Sequence, residues 1–542
     1  MKVRIGTRGS DLALWQARHV KALLERAGAA VEIVVLETRG DRIDDVPLQT
    51  LEGKGFFTKE IEQALLDGAV DLAVHSHKDL PCADTPGLAL AAVPERAGTG
   101  ERLLLAPAAH APSALFLPLA PGARVGTSAP RRGEQLLALR PDLELLTLRG
   151  NVPTRVRRLR EGRYDAILLA EAGLERLALD LSDLVVVDLD PRHVVPAPAQ
   201  GALAIQIRAD DAAVRELVAR ALDDRAARER VAAERTVLVA LGGGCNLPLG
   251  VTLLDEGGAV RAHAFLGAGH PTPTHRARWC SAVGATPLAA ARALALRLEE
   301  RGPTGEGPLG GLAVALAGSE HAGDALATRL ELLGARVLRE SVLEVEDVDG
   351  AALAPALARL RAGDALALTS ANAARRLAGQ QVPEGVRVAA VGPGTARALS
   401  AAGVRVDVVG QAGARELARE LALTPGARVL FPCGEHALAD LADELARRAV
   451  PVERVVLYRT RARADVALAP EADARVYLSP SAVDACRAWE RAHAPRAARV
   501  ALGAATAERL AAHGLPHHRS ASPGVEDAVA VLAALVPEED PS

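Results

Sequence analysis

Short apolar runs alternate with amphipathic stretches through the first 215 residues. VRIGT (3–7) leads into apolar positions at helical spacing over 11–27, and VEIVVLET (31–38) follows. KEIEQALLDG then reads as a helix, VDLAVHS (70–76) as a strand, ARVGTS (123–128) as a strand, RGEQLLALR as a helix, and DAILLAEAGLERL (165–177) as a strand running into a helix. This alternation predicts α/β domains on largely parallel sheets, with sites in the loops at strand C-termini. Beyond residue 215 the pattern changes. A helix, a strand over TVLVAL, a Gly-rich loop and the hairpin VTLLDEGGAVRAHAFLG predict a small α+β domain. RGPTGEGPLGG (301–311) lies between an Ala/Leu/Arg helix at 287–301 and a new strand, LAVALAG, and reads as a linker.

The second half repeats itself. SEHAGDALATRLELLGARV (319–337) aligns with GEHALADLADELARRAVPV (434–452), matching Glu320, His321, Leu326, Leu330 and Val337 to Glu435, His436, Leu441, Leu445 and Val452. VGPGTARALSAAG (391–403) aligns with LGAATAERLAAHG (502–514), and TSANAARRL (369–377) resembles SPSAVDACR (479–487). Each copy reads as strand, small-residue turn and helix, which predicts two similar α/β lobes.

Composition adds bounds. At roughly 150 residues per domain, 542 residues predict three to four domains. With 49% hydrophobic and 24% charged residues the chain is globular, and a net charge of −4 gives no footprint for nucleic acid. Aromatics are only 2%, so the cores must be built from Leu, Val, Ile and Ala. The five cysteines, at 82, 245, 280, 433 and 486, are scattered and odd in number, which argues against a disulfide framework or a zinc site and for a reducing cytoplasm. The N-terminus does not read as a signal peptide, and the apolar helices are broken by charges, so no membrane span is expected. Lys occurs only at 2, 21, 54, 59 and 78, leaving 59 of the 64 basic residues as Arg. A Lys kept in such a chain offers a point charge and a tunable pKa that Arg does not.

Seven segments, in order, resemble hydroxymethylbilane synthase, also called porphobilinogen deaminase. They are IGTRGSDLALWQA (5–17), GKGFFTKEIEQAL (53–65), AVHSHKDLP (73–81), VGTSAPRR (125–132), LRGNVPTRVRRL (148–159), PAQGALAIQIR (198–208) and LGGGCNLPLG (241–250). The resemblance implies an enzyme that joins four porphobilinogen units with loss of ammonia. It also implies three domains: two bilobed, binding-protein-like α/β domains (1–98 with 195–215, and 99–194) and a small α+β domain (216–300). Porphobilinogen carries two carboxylates, so the growing chain is a polyanion. Residues 124–163 hold ten Arg against four acidic residues, a local +6, and Arg forks grip carboxylates in pairs of charge-assisted bonds.

By resemblance, Asp79 is the catalytic acid. It follows the strand VDLAVHS, at the end where α/β sites lie. One carboxyl there can protonate the departing amine and stabilise the cations on either side of coupling. His75 and His77 beside it are read as packing or turn residues. Cys245, a thiol in the open loop GGGCN, is implied to carry a covalent dipyrromethane cofactor. Lys78, Ser128, Arg131, Arg132 and Arg149 are assigned to that cofactor. Arg8, Ser10, Lys54, Lys59, Thr127, Arg155, Arg176 and Gln200 are assigned to substrate. Arg157, Arg158, Arg160 and Arg163 are read as a solvated helix face. No metal is expected.

Residues 312–535 resemble uroporphyrinogen-III synthase through LTSANA (368–373), VAAVGPGTARAL (388–399), ARVLFPCGE (427–435), VERVVLYRT (452–460), YLSPSAV (477–483) and ALGAATAERL (501–510). The expected lobes are 312–345 with 462–535, and 346–461. The resemblance implies closure of the linear tetrapyrrole with inversion of its last ring. Thr369, Ser370, Thr395, Ser479 and Thr506 lie in turns suited to carboxylates, and Tyr458 and Tyr477, two of only three Tyr, are candidate proton donors or core residues with satisfied hydroxyls. Cys433 stands where an Arg is often found. The expected protein is a monomeric, cytoplasmic, bifunctional enzyme for two successive steps of tetrapyrrole synthesis. The alternatives are a deaminase with a non-catalytic C-terminal module and a bilobed solute-binding protein.

Overall fold

The strand Lys2–Thr7 delivers the chain into the helix Asp11–Arg26, whose start is capped by Ser10 accepting from the Ala13 amide at 3.4 Å. Gln16, Ala17, Val20 and Leu24 face inward at helical spacing. A computed structural model describes residues 1–37, 58–82, 85–243, 247–269, 277–300, 304–348, 350–410, 413–435, 437, 439–493 and 496–536. The chain divides into two units, Met1–Gly311 with Glu331–Ala335, and Leu312–Leu330 with Arg336–Ser542.

The first unit holds two five-stranded sheets. One orders Ala30–Val35, Lys2–Thr7, Leu72–Ser76, Leu203–Arg208 and Leu88–Ala92, with Leu203–Arg208 antiparallel to both neighbours. The other orders Glu144–Leu146, Arg124–Gly126, Ala166–Ala170, Glu101–Leu105 and Val185–Leu189, with Glu101–Leu105 antiparallel to both neighbours. Each sheet thus takes in one antiparallel strand supplied by a crossing from the other domain, at 93–100 and at 190–202. The central strand LAVHS is buried over its first four residues, as a strand covered on both faces must be.

Two expectations are corrected here. The first domain does not end at 215, because Val214, Leu217, Val218 and Leu222 of the helix Ala212–Leu222 join the core built on Val3, Ile5 and Leu72. TVLVAL is not a strand; all but its last residue belongs to the helix Arg225–Ala240. Ala233 and Val237 sit one helical turn apart against the antiparallel sheet Leu249–Glu256, Ala259–Leu266 and Arg278–Gly284, so tertiary packing overrides the β-branched run. The described part of the linker is anchored: Thr304 Oγ1 donates to the Trp279 carbonyl at 2.6 Å and Glu306 pairs with Arg297 at 2.7 Å.

The second unit is one ten-stranded sheet made of two lobes. In the first, strands Arg336–Asp347, Ala313–Ser319, Ala474–Tyr477, Ala498–Ala501 and His518–Arg519 lie side by side and parallel. In the second, Val452–Ala462, Val429–Gly434, Ala365–Leu368, Arg387–Ala390 and Val408–Val409 repeat that arrangement. The two are joined where Leu343–Asp347 pairs antiparallel with Tyr458–Ala462. The chain lays two strands of the first lobe, then all five of the second, and then returns for the last three of the first.

Candidate active site

Strand Leu72–Ser76 ends in a single 3-10 turn, His77–Asp79, which leaves Asp79 exposed at the strand's C-terminal end. Gln16 steadies the approach by donating to Ser76 Oγ at 2.9 Å. Arg8, Ser10, Gln16, His75 and Asp79 line one recess of about 100 Å³. Both His75 and His77 are buried, and burial pushes each imidazole down to about 4, so both are neutral near pH 7.

Cations gather on and around this turn. Lys78 Nζ donates to Gln200 Oε1 at 3.0 Å. Burial lowers its pKa to about 8, with Arg132 and Arg131 pushing the same way and Asp79 and Glu101 opposing. Glu101 is fully buried and holds two arginines at once. Arg131 Nη2 lies 2.5 Å and Arg132 Nη2 2.6 Å from its oxygens, and Arg131 Nη1 also donates to the Val195 carbonyl at 2.7 Å. Burial alone would raise this carboxyl, but Arg132 and Arg131 hold it at about 2. Arg155 donates to the Gly150 carbonyl at 2.7 Å, and Arg158 to the Arg149 carbonyl at 2.9 Å. Burial, then Arg132, lowers the pKa of Arg155 to about 10; Asp79 opposes, while Arg149 and Arg158 add to the fall. Arg149 Nη2 is buried with no hydrogen-bond partner.

The sequence-derived site residues distribute as follows. Asp79, Lys78, Arg132, Arg149 and Arg155 form one electrostatically coupled group. Thr127, Ser128 and Arg149 line a neighbouring recess of about 300 Å³, where Ser128 Oγ donates to the Leu148 carbonyl at 2.6 Å. Arg176 lies 5.6 Å from the centre of the Trp15 ring and donates to the Gly201 carbonyl at 2.6 Å. Lys59 is exposed at the start of the helix Lys59–Leu66. Gln200 is fully buried; its amide nitrogen donates to the Thr99 and Gly100 carbonyls at 2.9 and 3.0 Å, and its oxygen accepts from Lys78. Lys54 and Cys245 lie outside the described residues. Glu101 was not among the residues the sequence singled out. The one available signal was an acidic residue opening the otherwise apolar strand ERLLL.

In the second unit, Tyr458 donates to Ser370 Oγ at 2.8 Å, and Ser370 caps the helix Ala371–Arg375. The Arg376 guanidinium stands 5.0 Å from the Tyr458 ring centre. Ser479 accepts from the Ala482 amide at 3.2 Å. Thr395 and Thr506 are buried near helix starts, and Thr369 is half-buried. Cys433 is buried with Arg454 Nη2 at 3.9 Å from its sulfur.

Tyr477 does not join them. It is fully buried and donates to Glu490, whose carboxylate also meets Arg475 and Arg499 at 3.5 and 2.7 Å. Burial and Glu490 raise its pKa far above the ordinary phenol value, and its hydroxyl is anchored in the lobe core. Tyr477→Phe should therefore cost about 1–3 kcal/mol of stability, the loss of a hydrogen bond to a buried charge. Chemical denaturation should report that loss while product isomer composition stays the same.

Comparison with known proteins identifies both halves. Residues 3–216 match the family model described as porphobilinogen deaminase, dipyromethane cofactor binding domain, and residues 324–530 match the model of uroporphyrinogen-III synthase HemD. The porphobilinogen deaminase of Nitratidesulfovibrio vulgaris strain Miyazaki F is 52% identical over 250 residues, covering 46% of this chain and 76% of that protein. That of Roseiflexus sp. strain RS-1 is 47% identical over 268 residues, covering 49% and 85%. Among solved structures, a mutant uroporphyrinogen III synthase from the extremely thermophilic bacterium Thermus thermophilus is similar at 21% identity and a TM-score of 0.29, covering 41% of this chain and 98% of that one. Among the described residues no helix is long and apolar enough to cross a membrane.

Proposed function

The chain belongs to the porphobilinogen deaminase family and carries a uroporphyrinogen-III synthase domain behind it, and from that premise we propose that residues 1–300 join four porphobilinogen units into hydroxymethylbilane with release of ammonia, and that residues 312–535 close the product to uroporphyrinogen III. The observation that carries this reading is the exposed carboxyl of Asp79 set against Lys78, Arg132, Arg149 and Arg155. A polyanionic chain is held by the cations while a single carboxyl handles the charge that develops on each pyrrole.

Asp79 in its acid form gives a proton to the departing amine. As the carboxylate, it then stabilises the cationic azafulvene and the positive pyrrole formed on coupling. Arg8, Ser10, Lys54, Lys59, Thr127, Arg155 and Arg176 orient the substrate carboxylates. Lys78 contributes a charge that fades as pH rises past its lowered pKa of about 8.

The same wall suits a dipyrromethane. Such a group brings carboxylates, and the buried, unpartnered Arg149 Nη2 is a donor that such an acceptor would satisfy. Lys78, Ser128, Arg131, Arg132 and Arg149 would hold it, with attachment through Cys245. When bound, it supplies the pyrrole carbon to which the first substrate unit is joined. Arg131 contributes mainly through Glu101, which fixes it beside Arg132.

In the second half, Thr369, Ser370, Thr395, Ser479 and Thr506 lie near strand ends, and Tyr458 offers a proton at Ser370. The reading includes a monomer in the cytoplasm, and the scattered cysteines support a reducing compartment.

The test is the product formed from porphobilinogen alone. Ammonia release with type III uroporphyrinogen is expected. Ammonia release with only the type I isomer would leave the first activity and remove the second, and no ammonia release would overturn the reading.

A further inference from the structure

The helix Arg225–Ala240 packs with the third domain, yet two consecutive residues on it reach the hinge and the catalytic turn. Glu234 is fully buried. It takes both terminal nitrogens of Arg96, at 2.9 and 2.8 Å, and accepts from the Ala199 amide at 2.7 Å. Arg96 in turn donates to the Gln200 carbonyl at 2.9 Å. Glu234 therefore ties together the two crossings that join the first and second domains.

Arg235 points to the other element. Its Nη1 donates to the Leu80 carbonyl at 3.2 Å and its Nη2 to the Pro81 carbonyl at 2.6 Å. These are the first two carbonyls after Asp79. Pro81 has no N–H, so this exit from the turn has one backbone donor fewer to anchor it. A planar fork that takes two consecutive carbonyls fixes orientation as well as distance. The neighbour on the turn is His77, buried with neither ring nitrogen hydrogen-bonded. Its imidazole is kept neutral by burial, with Arg235 and Arg96 pushing the same way. It thus adds no positive charge beside the guanidinium. The helix ends at Ala240, and the chain reaches Cys245 five positions later.

We propose that Arg235 is a positioning residue for the deaminase reaction. By holding the Leu80 and Pro81 carbonyls, it ties the turn that carries Asp79 to the helix that precedes Cys245 in the chain. The alignment of the catalytic carboxyl is thereby set from the third domain. This rests on the roles given above to Asp79 and Cys245. Reacting groups must be held to within fractions of an ångström, and a misplacement of about 1 Å costs on the order of 100-fold in rate.

The experiment uses the full-length chain with Arg235→Ala, Arg235→Lys and Arg225→Ala, the last being an exposed Arg on the same helix. Ammonia release gives kcat and KM for porphobilinogen, intact mass gives the covalent adduct, and thermal melting reports the fold. Arg235→Ala should lower kcat by about 10- to 100-fold, with KM changed less than about threefold. Its adduct mass and melting temperature should match those of the unsubstituted chain. Arg235→Lys, with a point charge in place of the fork, should recover part of the rate, and Arg225→Ala should leave it unchanged. Unchanged kcat in Arg235→Ala overturns the proposal. So does a fall in kcat matched by loss of adduct or early melting, which would make Arg235 a fold anchor only. If Arg235→Ala does not fold, a folded Arg235→Lys decides: lowered kcat supports the proposal and full kcat overturns it. Failure of the unsubstituted chain to release ammonia brings down the functional reading itself, and is seen without any variant.

Discussion

Asp79→Asn should bind porphobilinogen and fail to turn it over. The substitution keeps the shape of the side chain but removes both the transferable proton and the negative charge. The carboxyl is asked to supply general-acid catalysis and electrostatic stabilisation of two successive cations, and each effect separately contributes about 10²–10⁴-fold. A loss of at least about 100-fold in kcat is therefore expected, while KM moves little. The fold has little at stake, because Asp79 is exposed at the end of a three-residue turn. Surface substitutions of this kind stay within about 0.5 kcal/mol. Cys245→Ser should fail differently: its intact mass should equal the bare chain, it should not redden with acidic aldehyde reagent, and it should not elongate. Activity in Asp79→Asn close to that of the unsubstituted chain would remove Asp79 from the reaction, and an adduct retained in Cys245→Ser would place the attachment elsewhere.

Glu101→Gln should carry the largest stability penalty in the first unit. Two buried guanidinium groups converge on Glu101, and Lys78 lies close enough to perturb it. Neutralising it leaves both arginines buried beside another cation. Breaking a buried ion pair from one side typically costs about 3–5 kcal/mol. The urea midpoint should fall accordingly, whereas Glu161→Gln, which loses only the exposed partners Arg157 and Arg163, should cost less than about 1 kcal/mol. The pH dependence has a definite sign. The Glu101 carboxyl lies at about 2 in the folded chain, below its ordinary 4.5. Its contribution is therefore complete above about pH 4.5 and is lost as pH falls towards 2. Glu101→Gln should lack that part of the acid-induced loss. An unchanged urea midpoint would show that the arginines find other partners.

The alternation of strands and helices, the two halves and the internal repeat were legible because they are local patterns, repeated in order. The turn that carries Asp79 was legible for the same reason: a strand, a short polar motif and Asp79 are contiguous. What escaped depends on residues far apart in sequence. Glu101 meets Arg131 across 30 positions, and Gln200 meets Lys78 across 122. Neither distance leaves a mark in periodicity. Tyr477 drew notice because Tyr is scarce in this chain, with core packing as its other reading. Its burial is set by Glu490 and the Arg475 network, which the sheet and the helix Pro480–His493 bring together. The run TVLVAL misled because β-branched residues favour strands only weakly, and a helical face was available to bury them.

The path of the chain through the second unit bears on how it is made. Its first lobe opens with Ala313–Ser319 and Arg336–Asp347, and the strands that complete it begin only at Ala474. During synthesis, the first lobe to start is the last that can finish, and the second lobe is complete before it. The two opening strands, rich in Val, Leu and Ala, must wait with an edge unpaired while the intervening lobe emerges. Such an edge is a template for wrong pairing. Any interruption of the chain between the two lobes strands the first one half built, so no single cut in this half releases two whole lobes.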